Sequence, residues 1–392
     1  MRVKARTLAA GTLPLAATAL VATILGLFFV GAGAARGDVF SMGGPNLKNL
    51  EFVSVGDPGN AADTTGYGAV AYPYRMGKFD VTAAIYAQFL NAVASQSDPF
   101  GLYNPNMAGG PGSAACGITR TGSPGYYSYN TTSSGYAVNN GNFPVNYVSW
   151  GDAARFANWL TNGQPTNTTE GVGTTETGSY TLNGAMDDSN LMTVIRNPGA
   201  RYVIPTEDEW YKAAYYDPNK PGGAGYWAYP TRSDTAPSNV LDPNGTNNAN
   251  FYNRGFTDPT NRLTVVGAFG GSPGQYGTYD MGGDLYQWND ANIWNQYSSV
   301  WDRGIRGGSF YTVSDGQVAS GRGYTYPTYE GTIVGFRVAE VPEPASVTLL
   351  AVGCLALLRQ RKRAKPAHFS WHRNTDHIEG ANRLFPVAGR VS

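Results

Sequence analysis

Glycine and other turn-forming residues run through the whole chain and limit the regular structure that it can build. The 392 residues include 51 glycines, 24 prolines and 26 tyrosines. Glycine, proline, asparagine and serine each favour turns for a different steric or hydrogen-bonding reason. This composition predicts long ordered loops held by aromatic packing, with few regular layers of helix and sheet.

Three segments have the apolar periodicity and the capping residues of helices. Residues 82–94 place apolar side chains every four positions behind a capping threonine. Residues 149–163 begin with a capping-box-like pattern and end at a glycine, and residues 206–217 begin with a T-x-x-E capping box. Short β-rich segments predict five strands: 52–55, 74–79, 201–204, 263–266 and 333–338. The stretches 96–141 and 162–200 look like inserted surface loops.

The first 37 residues carry the features of a secretory signal peptide. Arg2, Lys4 and Arg6 precede an apolar stretch, residues 8–30, and small residues follow it. That order predicts export across the inner membrane and cleavage by signal peptidase. The apolar stretch is also long enough to span a bilayer, so an uncleaved anchor is the alternative.

A second apolar run and a basic cluster stand near the other end. Residues 341–363 hold a V-P-E-P motif, a short apolar run and an arginine-rich end. This layout resembles the PEP-CTERM sorting signal of Gram-negative bacteria, which an exosortase-type membrane protease recognises. The resemblance implies delivery to the cell envelope or the exterior, with transient anchoring through the apolar helix; a plain transmembrane anchor is the alternative. Residues 364–392 form a tail of unknown role.

The body between the two targeting segments, residues 38–340, is acidic and is expected to form one domain. It holds 16 Lys and Arg against 25 Asp and Glu, a net charge of −9, although the whole chain is neutral. Such a charge argues against nucleic acid as a partner, because phosphate binding needs basic side chains. Cys116 is the only cysteine of the body, so the body cannot form an internal disulfide and its stability must come from the core.

Five strings in the body occur in the order of a known family. They are PVNYVSW (144–150), RYVIPTEDEW (201–210), YDMGGDLYQW (279–288), RGGSF (306–310) and GFRV (335–338). Together they resemble the formylglycine-generating enzyme, or sulfatase-modifying factor, family. The resemblance implies a compact α+β fold, related to C-type lectins, with little regular secondary structure.

Most side chains in these strings are expected to be structural. Arg306 and Arg337 are expected to be buried partners of carboxylates. Glu207 and Glu209 could form a general acid and base pair, but both suit the N-terminus of a helix better. Tryptophan is a large apolar anchor whose indole N–H needs a partner. Four tryptophans are therefore expected in the core: Trp150, Trp159, Trp210 and Trp288.

The oxidation chemistry of the family depends on two cysteines that follow the R-G-G-S segment and bind copper(I). Counted from Arg306, those positions are Thr312 and Gln317 in this chain. Copper(I) requires soft thiolates, which a hydroxyl and an amide cannot replace. Related iron enzymes use three histidines, and this chain has its histidines beyond the sorting signal: His368, His372 and His377. Neither copper nor three-histidine iron is expected, and no catalytic residue is assigned.

Calcium is the remaining inorganic cofactor that the resemblance implies. The family binds it through the loop that spans residues 279–288 here, and the matching positions are Asp280, Gly283, Leu285 and Gln287. Glutamine replaces a glutamate of the family, which keeps an oxygen but loses a charge and weakens calcium binding, while Asp284 adds a carboxylate nearby. A second calcium site would lie at Asn250, Phe251 and Asp258.

Three functions fit this sequence. The first is a binding module for a polysaccharide or protein at the cell surface, because tyrosine and tryptophan beside asparagine and serine give adaptable contacts. The second is a diverged metal-dependent oxidase or oxygenase of the non-heme iron type, acting on an unknown substrate. The third is a structural envelope protein. Kinship at the level of the fold does not decide among them.

Overall fold

The three sequence-predicted helices form with the caps that the sequence indicates. The computed structural model describes residues 49–109, 112–131 and 140–342. Thr82 accepts a hydrogen bond from the Ile85 amide at the start of the first helix, and complete capping boxes start the second and the last. The helices are α1 (Ala83–Val93), α2 (Trp150–Thr161), α3 (Asp188–Thr193) and α4 (Glu207–Tyr215).

Helix α3 lies in a stretch that the sequence indicates as loop. It has six residues behind the capping side chain of Asp187. A helix this short is less than two turns long, so it shows no apolar repeat that a sequence pattern could reveal.

In the part of the chain that the structure describes, twelve strands form small sheets. They are β1 (Phe52–Val55), β2 (Tyr74–Gly77), β3 (Thr119–Thr121), β4 (Ser128–Asn130), β5 (Tyr202–Val203), β6 (Tyr216–Asp217), β7 (Gly225–Tyr226), β8 (Tyr286–Asn295), β9 (Val300–Arg306), β10 (Gly323–Thr325), β11 (Val334–Gly335) and β12 (Ala339–Glu340). One sheet is antiparallel with the order β1-β2-β12-β5. The other has the order β10-β9-β8-β11, in which only the β11–β8 pair is parallel. The remaining pairs are β3–β4 and β6–β7.

One predicted strand is absent, and eight of the twelve strands in the described residues were not predicted. Residues 263–266, predicted as a strand, form a loop. The side chains of Leu263 and Val266 in this loop are buried, so their apolar character reflects packing in the core. The two longest strands, β8 and β9, are among those not predicted. The sequence of β8 is YQWNDANIWN, and asparagine and aspartate are poor strand formers. Pairing with β9 over most of its length overrides that preference.

The core confirms the expected role of the tryptophans, since all four lie within one hydrophobic cluster. Three of their indole groups donate hydrogen bonds, from Trp159 to the Pro165 carbonyl, from Trp288 to the Val148 carbonyl and from Trp210 to a side chain discussed below. The fourth, Trp150, has the Arg303 guanidinium 3.8 Å from its ring centroid.

Within the described residues, no helix is long and apolar enough to cross a bilayer. The predicted signal peptide, residues 1–37, lies outside the described ranges, as do the apolar run and the basic end of the predicted sorting signal.

Candidate functional site

The segment after β9 is held in place by Arg306. Its guanidinium donates to Glu207 Oε1 at 2.8 Å through Nε and pairs with the same carboxylate at 2.7 Å through Nη2. Its Nη1 donates to the carbonyls of Ala319 and Gly321, at 3.0 and 2.7 Å. The expected burial of Arg306 against a carboxylate is confirmed. Arg306 thereby links the end of β9 to the start of α4 and to residues 319–321. The loop that carries Thr312 and Gln317 lies between Arg306 and residues 319–321 in the sequence.

The hydroxyl of Thr312 closes a turn within its own loop. Thr312 Oγ1 donates to the Ser309 carbonyl at 3.0 Å and accepts from the Ser309 amide at 2.9 Å. The backbone carbonyl of Thr312 accepts from the Tyr252 amide at 2.9 Å. The side chain therefore serves local structure, and a hydroxyl in this setting is not a ligand for copper(I).

Gln317 is fully buried, and its side chain is not hydrogen-bonded within the described part of the chain. Its backbone is anchored, because the amide donates to the Ser314 carbonyl and the carbonyl accepts from the Tyr215 hydroxyl at 2.9 Å. Burying an amide without partners costs about 1–3 kcal/mol. Gly282 lies beside this amide, and Gly282 and Pro230 line a cavity of about 10 Å³, which is about the space of one water molecule.

A buried network surrounds Gln287, the position matched to a calcium ligand. Gln287 Oε1 accepts from Trp210 Nε1 and from Arg337 Nε, both at 2.7 Å, and Gln287 Nε2 donates to the Asp280 carbonyl at 2.6 Å. Arg337 also pairs with Asp80 at 3.2 Å, which confirms its expected burial against a carboxylate. Burial raises the pKa of Asp80 to about 8, against the opposing effect of Arg337. A cation at Gln287 Oε1 would therefore face a guanidinium, which is electrostatically unfavourable.

The other residues matched to this calcium site lie in one turn. Asp280 adopts a left-handed conformation, and its Oδ2 accepts from the Gly267 amide at 2.7 Å. The Gly283 amide donates to the Gly307 carbonyl, and the side chain of Leu285 packs in a small hydrophobic cluster with Phe310. Across the described ranges, no group of three or more His, Cys, Asp or Glu side chains is arranged to hold a metal ion. Calcium binding by carbonyls of this turn stays a prediction.

The side chain of Asn250 lies beside that of Asp284. Its Nδ2 donates to Asp284 Oδ1 at 3.1 Å, while Asn250 Oδ1 is buried and not hydrogen-bonded within the described residues. Thr264 Oγ1 donates to the other Asp284 oxygen at 2.7 Å. Burial raises the pKa of Asp284 well above its usual range. The sequence gives no signal that Asp284 and Thr264 lie beside Asn250, because no local spacing indicates a contact over 34 residues.

Two residues of the second predicted calcium site have other partners. The carboxylate of Asp258 accepts from the amides of Thr260 and Asn261, at 2.8 and 2.9 Å, and so caps a turn. The carbonyl of Phe251 accepts from Asn239 Nδ2 at 3.2 Å. Calcium binding at Asn250, Phe251 and Asp258 stays a prediction.

Aromatic rings form a rim beside Thr312. The centroid of the Phe256 ring lies 5.1 Å from that of Tyr252 and 6.3 Å from that of Tyr311. The Arg262 guanidinium stacks on Phe256, 3.9 Å from its centroid. Tyr252 and Tyr311 are both exposed, so the rim offers aromatic faces and hydroxyls to solvent.

A family model and several solved structures are similar to this chain. The model of the sulfatase-modifying factor enzyme 1-like domain family matches residues 46–341. No curated protein matches the chain. Similar solved structures include CarF (19% identity, 75% of this chain and 98% of that one, TM-score 0.45) and Treponema denticola variable protein 1 (17%, 78% and 99%, 0.47). PvdO from Pseudomonas aeruginosa is also similar (18%, 79% and 100%, 0.40). The chain therefore belongs, over residues 46–341, to the sulfatase-modifying factor family and has its α+β fold with little regular secondary structure.

Proposed function

We propose that this chain is a non-catalytic binding module at the cell surface, where it binds a polysaccharide or a protein. The observation that carries the proposal is the chemistry of Thr312 and Gln317. One offers a hydroxyl that closes its own turn, and the other offers a buried amide. Neither is a thiolate, so the pair does not supply the soft ligands on which copper-dependent oxidation relies.

The aromatic rim supports a binding role for the same region. Tyr252 and Tyr311 are exposed beside Thr312, and each carries a rigid ring with a hydroxyl. Such side chains make large contacts at a low cost in conformational entropy. The site therefore keeps features that suit recognition, while its donor atoms do not suit oxidation.

The location is part of the proposal and rests on the sequence. Residues 1–37 have the pattern of a signal peptide, and residues 341–363 that of a sorting signal. The partners would be signal peptidase, an exosortase-type protease and an envelope polysaccharide or protein. The body's net charge of −9 disfavours nucleic acid.

The experiment combines a peptide assay with metal analysis of the purified full chain. A peptide bearing the sulfatase motif C-x-P-x-R is incubated with the protein, copper(I) and oxygen, and its mass is measured. We expect the cysteine to stay unmodified, and we expect the protein to carry no stoichiometric copper or iron; calcium is compatible with the proposal. Conversion of the cysteine to formylglycine, or one equivalent of copper or iron per chain, would overturn the proposal.

A further inference from the structure

The hairpin of β8 and β9 exposes a pair of tryptophans. Trp294 and Trp301 occupy opposite positions in the strand register, with ring centroids 5.5 Å apart and an interplanar angle of 67°. They are 48% and 53% exposed, and Tyr297 in the connecting turn is 85% exposed. Contiguous exposed aromatic surface of this kind commonly marks a binding site.

Strand geometry places the tryptophan pair on the same side of the hairpin as α3. Trp301 and Arg303 are two residues apart, so they share one face of β9 and lie about 7 Å apart along it. Arg303 Nη2 donates to the carbonyls of Leu191 and Val194, at 2.8 and 2.6 Å. The face that carries the tryptophans therefore continues into the segment that contains α3.

An open cleft of about 350 Å³ lies in that same segment. Its volume is in the range of small-ligand sites. Ile195, one of its lining residues, is exposed, and Val194 both lines it and contacts Arg303 through its carbonyl. The polar lining consists of hydroxyl and amide side chains, from Thr181, Asn183, Asn190, Thr193 and Asn197.

The tryptophan end of the hairpin and the lining of the cleft have no charged side chain. No Asp, Glu, Lys or Arg lines the cleft, and none occurs among residues 291–301 of the hairpin. The surrounding body is acidic, so an anionic polymer or an anionic membrane would be repelled. Aromatic rings beside amides and hydroxyls suit a ligand that combines apolar ring faces with hydroxyl groups. A neutral sugar polymer has that chemistry.

We propose that the tryptophan pair and the cleft form one binding face for a neutral polysaccharide. This inference rests on the proposed binding function, names a ligand class for it and adds a second surface, whose residues differ from those of the aromatic rim at Tyr252 and Tyr311. Trp294 and Trp301 supply the apolar contact with pyranose rings. The cleft residues supply hydrogen bonds to hydroxyl groups of neighbouring sugar units.

The test is affinity electrophoresis of the full chain in native gels that contain a soluble neutral glucan, mannan or galactan, with alginate as the anionic comparison. We expect at least one neutral polysaccharide to retard the wild-type protein and alginate not to do so. Trp294→Ala with Trp301→Ala should raise the dissociation constant on the order of tenfold or more. Tyr126→Ala is the matched control, since Tyr126 is 83% exposed and lies elsewhere in the sequence, and it should change nothing.

A second variant probes the cleft without disturbing the backbone. Asn183 has a φ of +51°, which glycine adopts freely, so Asn183→Gly removes the side chain and keeps the turn. We expect a rise in the dissociation constant of roughly severalfold, because one hydrogen-bonding group is lost. An unchanged dissociation constant would show that the cleft does not contact the polysaccharide. It would overturn the proposal that the tryptophan pair and the cleft form one binding face.

Three further results would overturn the inference. The first is the absence of retardation by every neutral polysaccharide. The second is retardation that the double tryptophan variant retains; the location would then be wrong, although the proposed binding function would stand. The third is tryptophan-dependent sedimentation with phosphatidylcholine vesicles in place of polysaccharide binding, which would identify a membrane contact. The proposed function is tested separately, by the peptide assay and the metal analysis. It would be overturned by conversion of the peptide cysteine or by one equivalent of copper or iron per chain.

Discussion

Arg306 carries a charge in the core, and its neighbours explain how the fold tolerates it. The Glu207 carboxylate pairs with Arg306 and also accepts two hydrogen bonds from Arg322, at 2.8 and 2.7 Å. A buried pair stabilises little by itself, because desolvation opposes the Coulomb attraction. Removing one partner is costly, since the other charge stays buried without compensation.

The substitution Glu207→Gln should therefore destabilise the domain strongly. We expect a loss of about 3–5 kcal/mol in the free energy of unfolding, measured by urea denaturation. Arg322→Gln is the matched control, because the Arg322 side chain is 32% exposed and its pair is weakened by solvent. Its effect should be about 1 kcal/mol or less. Equal effects of the two substitutions would contradict this account.

Glu170 should make stability fall as pH rises. Burial, and after it the charge of Asp98, raises the pKa of Glu170 to about 9 in the folded protein, from 4.5 as the ordinary value. The Glu170 carboxyl therefore stays protonated to a higher pH in the folded protein than in the unfolded chain. The stabilisation that results is fully present below about pH 4.5 and is lost as the pH rises towards 9.

Glu170→Gln is neutral at every pH and should remove this dependence. We expect the free energy of unfolding of the variant, relative to wild type, to increase between pH 5 and pH 8.5. Asp315→Asn, at an exposed position, should show no such trend. A difference between Glu170→Gln and wild type that is constant over this range would show that Glu170 is ionised in the folded protein.

At the scale of elements, left-handed glycines set the close approach of loops around the candidate site. Gly283 and Gly307 have φ values of +82° and +100°, and the Gly283 amide donates to the Gly307 carbonyl at 2.8 Å. A Cβ atom at Gly283 would collide with the Asn250 carbonyl oxygen. Two loops distant in sequence thus meet where only glycine fits.

Alanine substitutions at two left-handed glycines separate conformational strain from collision. Gly163 after α2 has a φ of +80°, close to that of Gly283, but a Cβ there would meet nothing within 4 Å. Both substitutions incur a left-handed strain of about 1–2 kcal/mol. Gly283→Ala should cost a further 1–3 kcal/mol or so in urea denaturation, because backbone must move. Comparable losses at the two positions would contradict the close packing of these loops.

Sequence patterns predicted the elements whose signals are local. The Thr206 and Glu209 capping box is readable over four residues, and its hydrogen bonds form as expected. Gln287 differs, because its partners Trp210 and Arg337 are 77 and 50 residues away. No spacing rule reveals such contacts. The same limit explains why Asn250 and Asp284 were not paired from sequence.

At the scale of the whole molecule, the chain has the scaffold of its family, and we propose that the donors at Thr312 and Gln317 do not suit copper(I). The family match spans residues 46–341, and the buried tryptophans and arginines hold that scaffold together. The R-G-G-S segment keeps its glycines and its buried Arg306, whereas Thr312 and Gln317 supply no thiolate. Under this proposal, the chain retains the fold of its family without the copper chemistry.

Copper(I) titration of two proteins under reducing conditions tests that proposal most directly. The wild-type chain and a Thr312→Cys, Gln317→Cys variant are titrated against a chromogenic copper(I) chelator. We predict that the wild type binds no stoichiometric copper(I) and that the double variant gains one site, because paired thiolates suit this ion. One equivalent bound by the wild type, or none by the variant, would contradict the central claim.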